Sequence, residues 1–311
     1  MARTSPSLVA TCVALAFFTQ GAALAAGAGG AQTRAWVSSL GTDSPACASA
    51  VAPCRTFQYA HDNIVAPGGA IYAHDAAGYG PLVITHAISV INEGEGVASI
   101  TVAYGDAIDI QAGAGDAVRI VGLTLDGSGT GANGVNLTSA GSLVLTNCKI
   151  SGFGSASANS GNGGGGILIN PASGKLTLTI SDTLASNNRA RGIWISPSVA
   201  NFGFGSTAVV TGTLIRDEAV GNGAGVEVSF EGTGHVSILA NQVNSSENTL
   251  FGFGVFNANS QLLLTRSTAT GNGGAGVLIG NGFAFTYGDN ALDGNISGAV
   301  SGTLSTTLHL Q

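Results

Sequence analysis

The chain has 311 residues and a formal net charge of −7; 49 residues are glycine, 44% are hydrophobic and only 9% are charged. Glycine usually makes up about 7% of a chain, but here it does not recur at every third position, which excludes collagen, and the low charge excludes an intrinsically disordered chain. With two lysines, Lys149 and Lys175, no basic stripe can track a phosphate backbone, so nucleic acid is excluded as a partner.

Residues 1–25 read as a secretory signal peptide. Arg3 supplies the positive start, Leu8–Phe18 the short apolar core, and Ala23-Leu24-Ala25 the small-residue cleavage site. The apolar run is far shorter than the roughly 20 residues of a membrane span, and no later segment is long and apolar enough. The expectation is a secreted or periplasmic protein. Cys12 leaves with the leader. Cys47 and Cys54 stand close together around Pro53, no Cys/His spacing suits zinc, and an exported protein can keep a disulfide, so Cys47–Cys54 is the expected clip. Cys148 lies in an apolar run and reads as a buried free thiol.

In Thr56–Val65, Phe57, Ala60 and Ile64 form one apolar helical face, with Thr56 as N-cap. From residue 134 a Gly-β-branched-x-apolar unit recurs. Its copies start at Gly134, Gly166, Gly192, Gly225, Gly254 and Gly276, at intervals of 32, 26, 33, 29 and 22 residues. A second strand-like unit follows each of the first five: Leu143–Thr146, Leu176–Thr179, Ala208–Thr211, Val236–Leu239 and Leu262–Thr265. Asn/Gly turns such as Gly221-Asn222-Gly223 separate them. Short alternating strands cannot bury an inner face alone, whereas stacking them coil on coil does so.

This pattern resembles the right-handed parallel β-helix of pectate lyases and their exported relatives. The N-terminal combination of Val37-Ser38-Ser39-Leu40-Gly41-Thr42-Asp43, Pro53-Cys54-Arg55-Thr56-Phe57-Gln58 and Pro67-Gly68-Gly69 is similar to the opening of many such proteins. The resemblance implies an all-β fold: a right-handed parallel β-helix solenoid with a short amphipathic helix capping its first coil. The expected organisation is a signal peptide at 1–25, a linker at 26–33, a cap at 34–69 and the β-helix at 70–311.

Alternation then assigns faces. The third position of each Gly unit points outward, which gives Asn136, Leu168, Trp194, Glu227, Phe256 and Leu278. Arg189, Arg191, Phe251 and Phe253 flank this column. Arg189, Arg191, Trp194, Glu227, Phe253 and Phe256 form the expected carbohydrate-binding patch, in which rings stack on sugars and arginines fork uronic carboxylates. The partner expected is a polysaccharide or cell-surface glycan. The same patch also fits a loop cover or a protein contact in a structural or adhesive solenoid. Thr146, Thr179, Thr211, Leu239 and Thr265 read as one outward column, and Cys148, Ser181, Thr213, Asn241 and Ser267 as a polar corner ladder.

A lyase or hydrolase acting on uronic-acid polymers is the enzymatic alternative. Asp106, Asp109, Asp116 and Asp126 with Arg119 are the densest acidic stretch and a candidate Ca²⁺ site, but no catalytic motif of the resembling enzymes is matched. Arg216-Asp217-Glu218 reads as solvated charge, and His74-Asp75 lacks a nucleophile motif. Tyr287–Asn295 is only partly similar to a Ca²⁺-binding nonapeptide. No cofactor is expected.

Overall fold

The computed structural model describes residues 31–94, 96–154, 164–198 and 205–306; residues 1–25, read above as a signal peptide, lie outside them. Among the described residues the strands form three parallel sheets of eleven, nine and six strands. One coil shows the path. Ser142–Thr146 lies in the eleven-stranded first sheet, Lys149–Ser151 in the six-stranded third and Gly165–Ile169 in the nine-stranded second, before Lys175–Ser181 re-enters the first beside Ser142–Thr146. The chain is therefore a parallel β-helix.

The core is built from stacked columns of inward residues. Val135, Ile167, Ile193, Val226, Phe253 and Val277 lie in register along the second sheet, and each is fully buried. Burying such side chains stabilises by about 1.5–3 kcal/mol each. A residue in the left-handed region turns the corner between the first and third sheets in successive coils: Asn147, Asp182, Arg216, Gln242 and Arg266, all with φ between 49° and 59°. Most non-glycine residues avoid that region, and short polar side chains tolerate it best.

The next corner holds an asparagine ladder. Asn188, Asn222, Asn248 and Asn272 are buried, and Asn295 ends the series half-buried. In each of the first four, the backbone N–H and side-chain Nδ2 both donate to Oδ1 of the next asparagine, at 2.8–3.3 Å. Every Nδ2 also donates to a backbone carbonyl, from Ile150 O for Asn188 to Ala269 O for Asn295. The ladder explains the glycines that open the second-sheet strands. A Cβ on Gly192 would lie 2.8 Å from Asn222 Nδ2, and one on Gly276 would lie 2.7 Å from Asn295 Nδ2. These glycines carry no positive φ; they are needed for space, not for turning.

The N-terminal segment closes the first coil. Gln32–Val37, which starts inside the segment read as linker, pairs with Val65–Ala73. Asp43 accepts from Arg55 N, Thr56 N and Thr56 Oγ1 at 2.8–3.0 Å, and a Cβ on Gly41 would overlap Cys54 O at 1.9 Å. Thr56 Oγ1 accepts from Tyr59 N, starting a short helix (Phe57–Tyr59) that continues as a π-turn (Ala60–Ile64). Phe57, Ala60 and Ile64 are buried as the period implies, and so is His61. Asp75 accepts from Ser38, Ser39 and Tyr79. These bonds outweigh the desolvation that opposes them and hold its carboxyl below the usual range. Asp75 is thus a structural tie, while His74 is exposed and contributes its backbone N–H to Val37 O.

Cys47 and Cys54 form the disulfide, seven residues apart. Closing so short a loop stabilises by about 2–3 kcal/mol. The Cys47→Ser/Cys54→Ser variant is expected to lose that amount in denaturant titration and to exchange its Trp36–Val37 amides faster. An unchanged midpoint would show that the Asp43 and helix contacts suffice alone.

Two assigned columns differ from expectation by slips of two residues, and of four where they pass through Val209–Ile215 and the corner after it; even-numbered slips preserve the faces. In the first sheet Thr146 pairs with Ser181, then Ile215, Asn241 and Thr265; Thr179 lies beside Val144 and Thr213 instead. No continuous threonine column exists among these strands. The corner ladder runs through Cys148, Thr183, Asp217, Val243 and Ser267: Cys148 N donates to Thr183 Oγ1, Thr183 N to Asp217 Oδ1, and Val243 N to Ser267 Oγ. Cys148 is a buried free thiol, and burial pushes it up to about 12.

Candidate functional site

The outer face of the second sheet brings together part of the expected patch. Trp194 pairs laterally with Leu168 and Glu227. Arg191 lies on the neighbouring outward position, with its guanidinium carbon 3.8 Å from the Trp194 ring centroid. Its Nε donates to Glu227 Oε2 at 2.6 Å. Trp194 is only 9% exposed and Glu227 5%. Trp194 Nε1 donates to Ser229 Oγ at 3.2 Å, which fixes the indole plane. The three side chains form one packed unit, in which the arginine is already occupied by a carboxylate and a ring.

Three expected patch residues stand elsewhere or shift. Phe253 is fully buried, aligned with Val226 and Val277 in the core column. Gly252, not Gly254, is the glycine set against the buried corner of its coil: a Cβ there would meet Ala269 Cβ at 2.7 Å, whereas one on Gly254 would run into the Phe251 and Phe256 rings. The unit therefore starts two residues earlier, Gly254 takes the outward place beside Glu227, and Phe253 turns inward. Phe256 remains outward one step further along, opposite Ser229, with Phe251 tilted against it at 5.7 Å. Arg189 belongs to a separate shallow groove of about 660 Å³ lined by Asn187, Gly154, Gly221 and Thr249, and donates to Gly154 O at 3.5 Å.

Beside the Arg191–Trp194–Glu227 unit lies a pocket of about 320 Å³, lined by Trp194, Ser196, Pro197, Ser198, Glu227, Ser229, Glu231, Phe256 and Asn257. Ligand pockets run from about 300 to 1,000 Å³, so this one suits a small moiety. Ser198 is held by Asn170, whose Oδ1 accepts from Ser198 N and Oγ at 2.9 and 2.7 Å. Sequence reading missed Ser196, Ser198, Ser229, Glu231 and Asn257. The usable signal was alternation: Ser196 and Ser229 each stand two places after an outward residue already chosen, Trp194 and Glu227.

The acidic stretch is dispersed. Asp109 lies on the second sheet, Asp126 on the third, Arg119 on the first, and Asp116 in a corner where its Oδ2 accepts from Gly113 N. Arg119 therefore cannot serve a site around Asp109. Asp106 and Asp109 do meet: both accept from Asn136 Nδ2, while Asn133 and Gln111 hold their other oxygens. Burial pushes both carboxyls up, against these amide bonds. Four strand steps separate Asp109 from Glu227, roughly 19 Å at about 4.8 Å per step. A glycosidase pair needs about 5–10 Å. No cluster among the described residues has the geometry of a metal site. Asn290 and Asn295 of the nonapeptide-like segment bind backbone carbonyls, and Asp289 accepts from Thr265 Oγ1.

A model of the right-handed β-helix region matches residues 133–310, more than half of the chain. The chain belongs to the right-handed β-helix family. Neither the curated proteins nor the solved structures give a match. In this β-helix the matched span holds the whole asparagine ladder and the pocket beside Trp194, while the cap and the Asp106–Asp109 pair precede it. No helix among the described residues of this family member is long and apolar enough to cross a membrane.

Proposed function

We propose that the chain is an exported glycan-recognition protein that binds through the pocket on the outer face of its second sheet. The pocket itself carries this reading. Two aromatic side chains, Trp194 and Phe256, stand among three serine hydroxyls and two carboxylates in a space of about 320 Å³. Apolar ring faces with hydroxyl-matching polar groups are what a sugar offers and requires. The packed Arg191–Trp194–Glu227 unit is a preorganised wall, which lowers the ordering cost of binding. Export is supported by the Cys47–Cys54 disulfide, a bond favoured in oxidising compartments.

Phe256, half-buried and facing the pocket, is the side chain to test. Trp194→Ala would unpack Arg191 and Glu227 and confuse folding with binding. Phe256→Ala is expected to weaken binding of the best glycan from an array by about tenfold, or about 1.4 kcal/mol by calorimetry, with unchanged circular dichroism. Equal affinity of variant and wild type would remove the pocket from glycan recognition.

A further inference from the structure

The pocket's charge narrows its ligand. Glu227 and Glu231 line it, and no lysine or arginine does. Arg191 stands against Trp194 and is bound to Glu227, so one cation is set against two anions. Glu231 is half-buried and makes no ion pair or side-chain hydrogen bond among the described residues. A uronic carboxylate placed here would face that uncompensated charge, and no arginine fork is open to receive it.

We propose that this pocket takes a cationic amino sugar, a glycan unit bearing a free ammonium group. The proposal rests on the glycan reading above and names its ligand class. An ammonium placed near Glu231 supplies the missing positive charge. Phe256 offers it a ring face, which favours a cation by about 0.5–2 kcal/mol. Ser196, together with the hydrogen-bonding capacity left on Ser198 after its bond to Asn170 and on Ser229 after its bond from Trp194, serves the sugar's hydroxyls. A lysine side chain of a protein partner would engage only the carboxylate and the ring, leaving the serines unused, so the observations favour a sugar.

The test is calorimetry on the full chain at about pH 6 and low salt. The probes are glucosamine oligomers, the same oligomers fully N-acetylated, oligogalacturonate and a short oligolysine. The expected result is that the glucosamine oligomer binds at least tenfold tighter than the others. Glu231→Gln is expected to erase most of that preference, weakening the glucosamine oligomer far more than the N-acetylated one. Preferential binding of the N-acetylated oligomer or oligogalacturonate, weakened by Phe256→Ala, would overturn the amino-sugar assignment and keep the glycan reading. Preferential binding of oligolysine would overturn both, as would the absence of binding to any glycan probe.

Discussion

Asn222→Ala is expected to lower the unfolding free energy by about 3–6 kcal/mol, because it strands several buried groups at about 1–3 kcal/mol each. Asn222 Oδ1 is the acceptor for both Asn188 N and Asn188 Nδ2, and Asn222 Nδ2 serves Ala185 O and Asn248 Oδ1. None of these groups reaches water, and a domain's whole stability is only about 5–15 kcal/mol. Asn295→Ala is the control. That rung makes the same kinds of bond but is half-buried, so water can replace its amide and the expected loss is about 1 kcal/mol. Denaturant titration gives both values, and hydrogen exchange should locate the Asn222→Ala damage to the coils around residues 185–190 and 219–225. Equal losses at the two rungs would mean that burial of the ladder is not what makes it costly to break.

The ladder also shows what was readable beforehand. Each of Asn188, Asn222, Asn248 and Asn272 stands three or four residues before a second-sheet glycine, Gly192, Gly225, Gly252 and Gly276. That spacing was present in the sequence, and it would have selected Gly252 over Gly254 and put Phe253 inside. Alternation alone could not, because Phe251-Gly252-Phe253-Gly254 offers two equivalent readings two residues apart. The first-sheet slip has the same origin. Strand register is set where the corner residue enters the left-handed region, and Asn147, Asp182, Arg216, Gln242 and Arg266 share no composition that marks it. Period-2 alternation survives a slip of two, so fold and faces were legible while columns were not. Trp194 was correctly placed outward. Its cover by Arg191 depends on Glu227 arriving one coil later, a pairing that sequence distance conceals.

The stability gap between Asp217→Ser and the wild type is expected to move in the variant's favour by about 3 kcal/mol between about pH 4.5 and pH 8. Asp217 is fully buried in the corner column whose other polar members, Thr183 and Ser267, carry hydroxyls. Thr183 and Ser267 each donate to the carbonyl two residues back, at Ser181 and Thr265, so a hydroxyl suits this position. Burial raises the Asp217 carboxyl from 3.8 to about 7, against the N–H bonds it accepts from Thr183 and Ile215. A raised acid binds its proton more tightly folded than unfolded. Its stabilising effect is therefore present below pH 4 and is lost as pH rises towards 7. His86 works in the opposite sense over the same range. It is buried against His61 at 4.0 Å with both ring nitrogens unpartnered, and desolvation, then His61, lowers its pKa. A lowered histidine costs stability as pH falls through about 6.5, so the two groups act in opposite senses and the wild-type profile alone would not isolate Asp217. The difference between variant and wild type cancels His86, because both proteins contain it, and isolates Asp217. A gap that stays constant from about pH 4.5 to pH 8 would show that the two backbone N–H bonds keep Asp217 ionised throughout, making it an anionic member of a column otherwise built from neutral side chains.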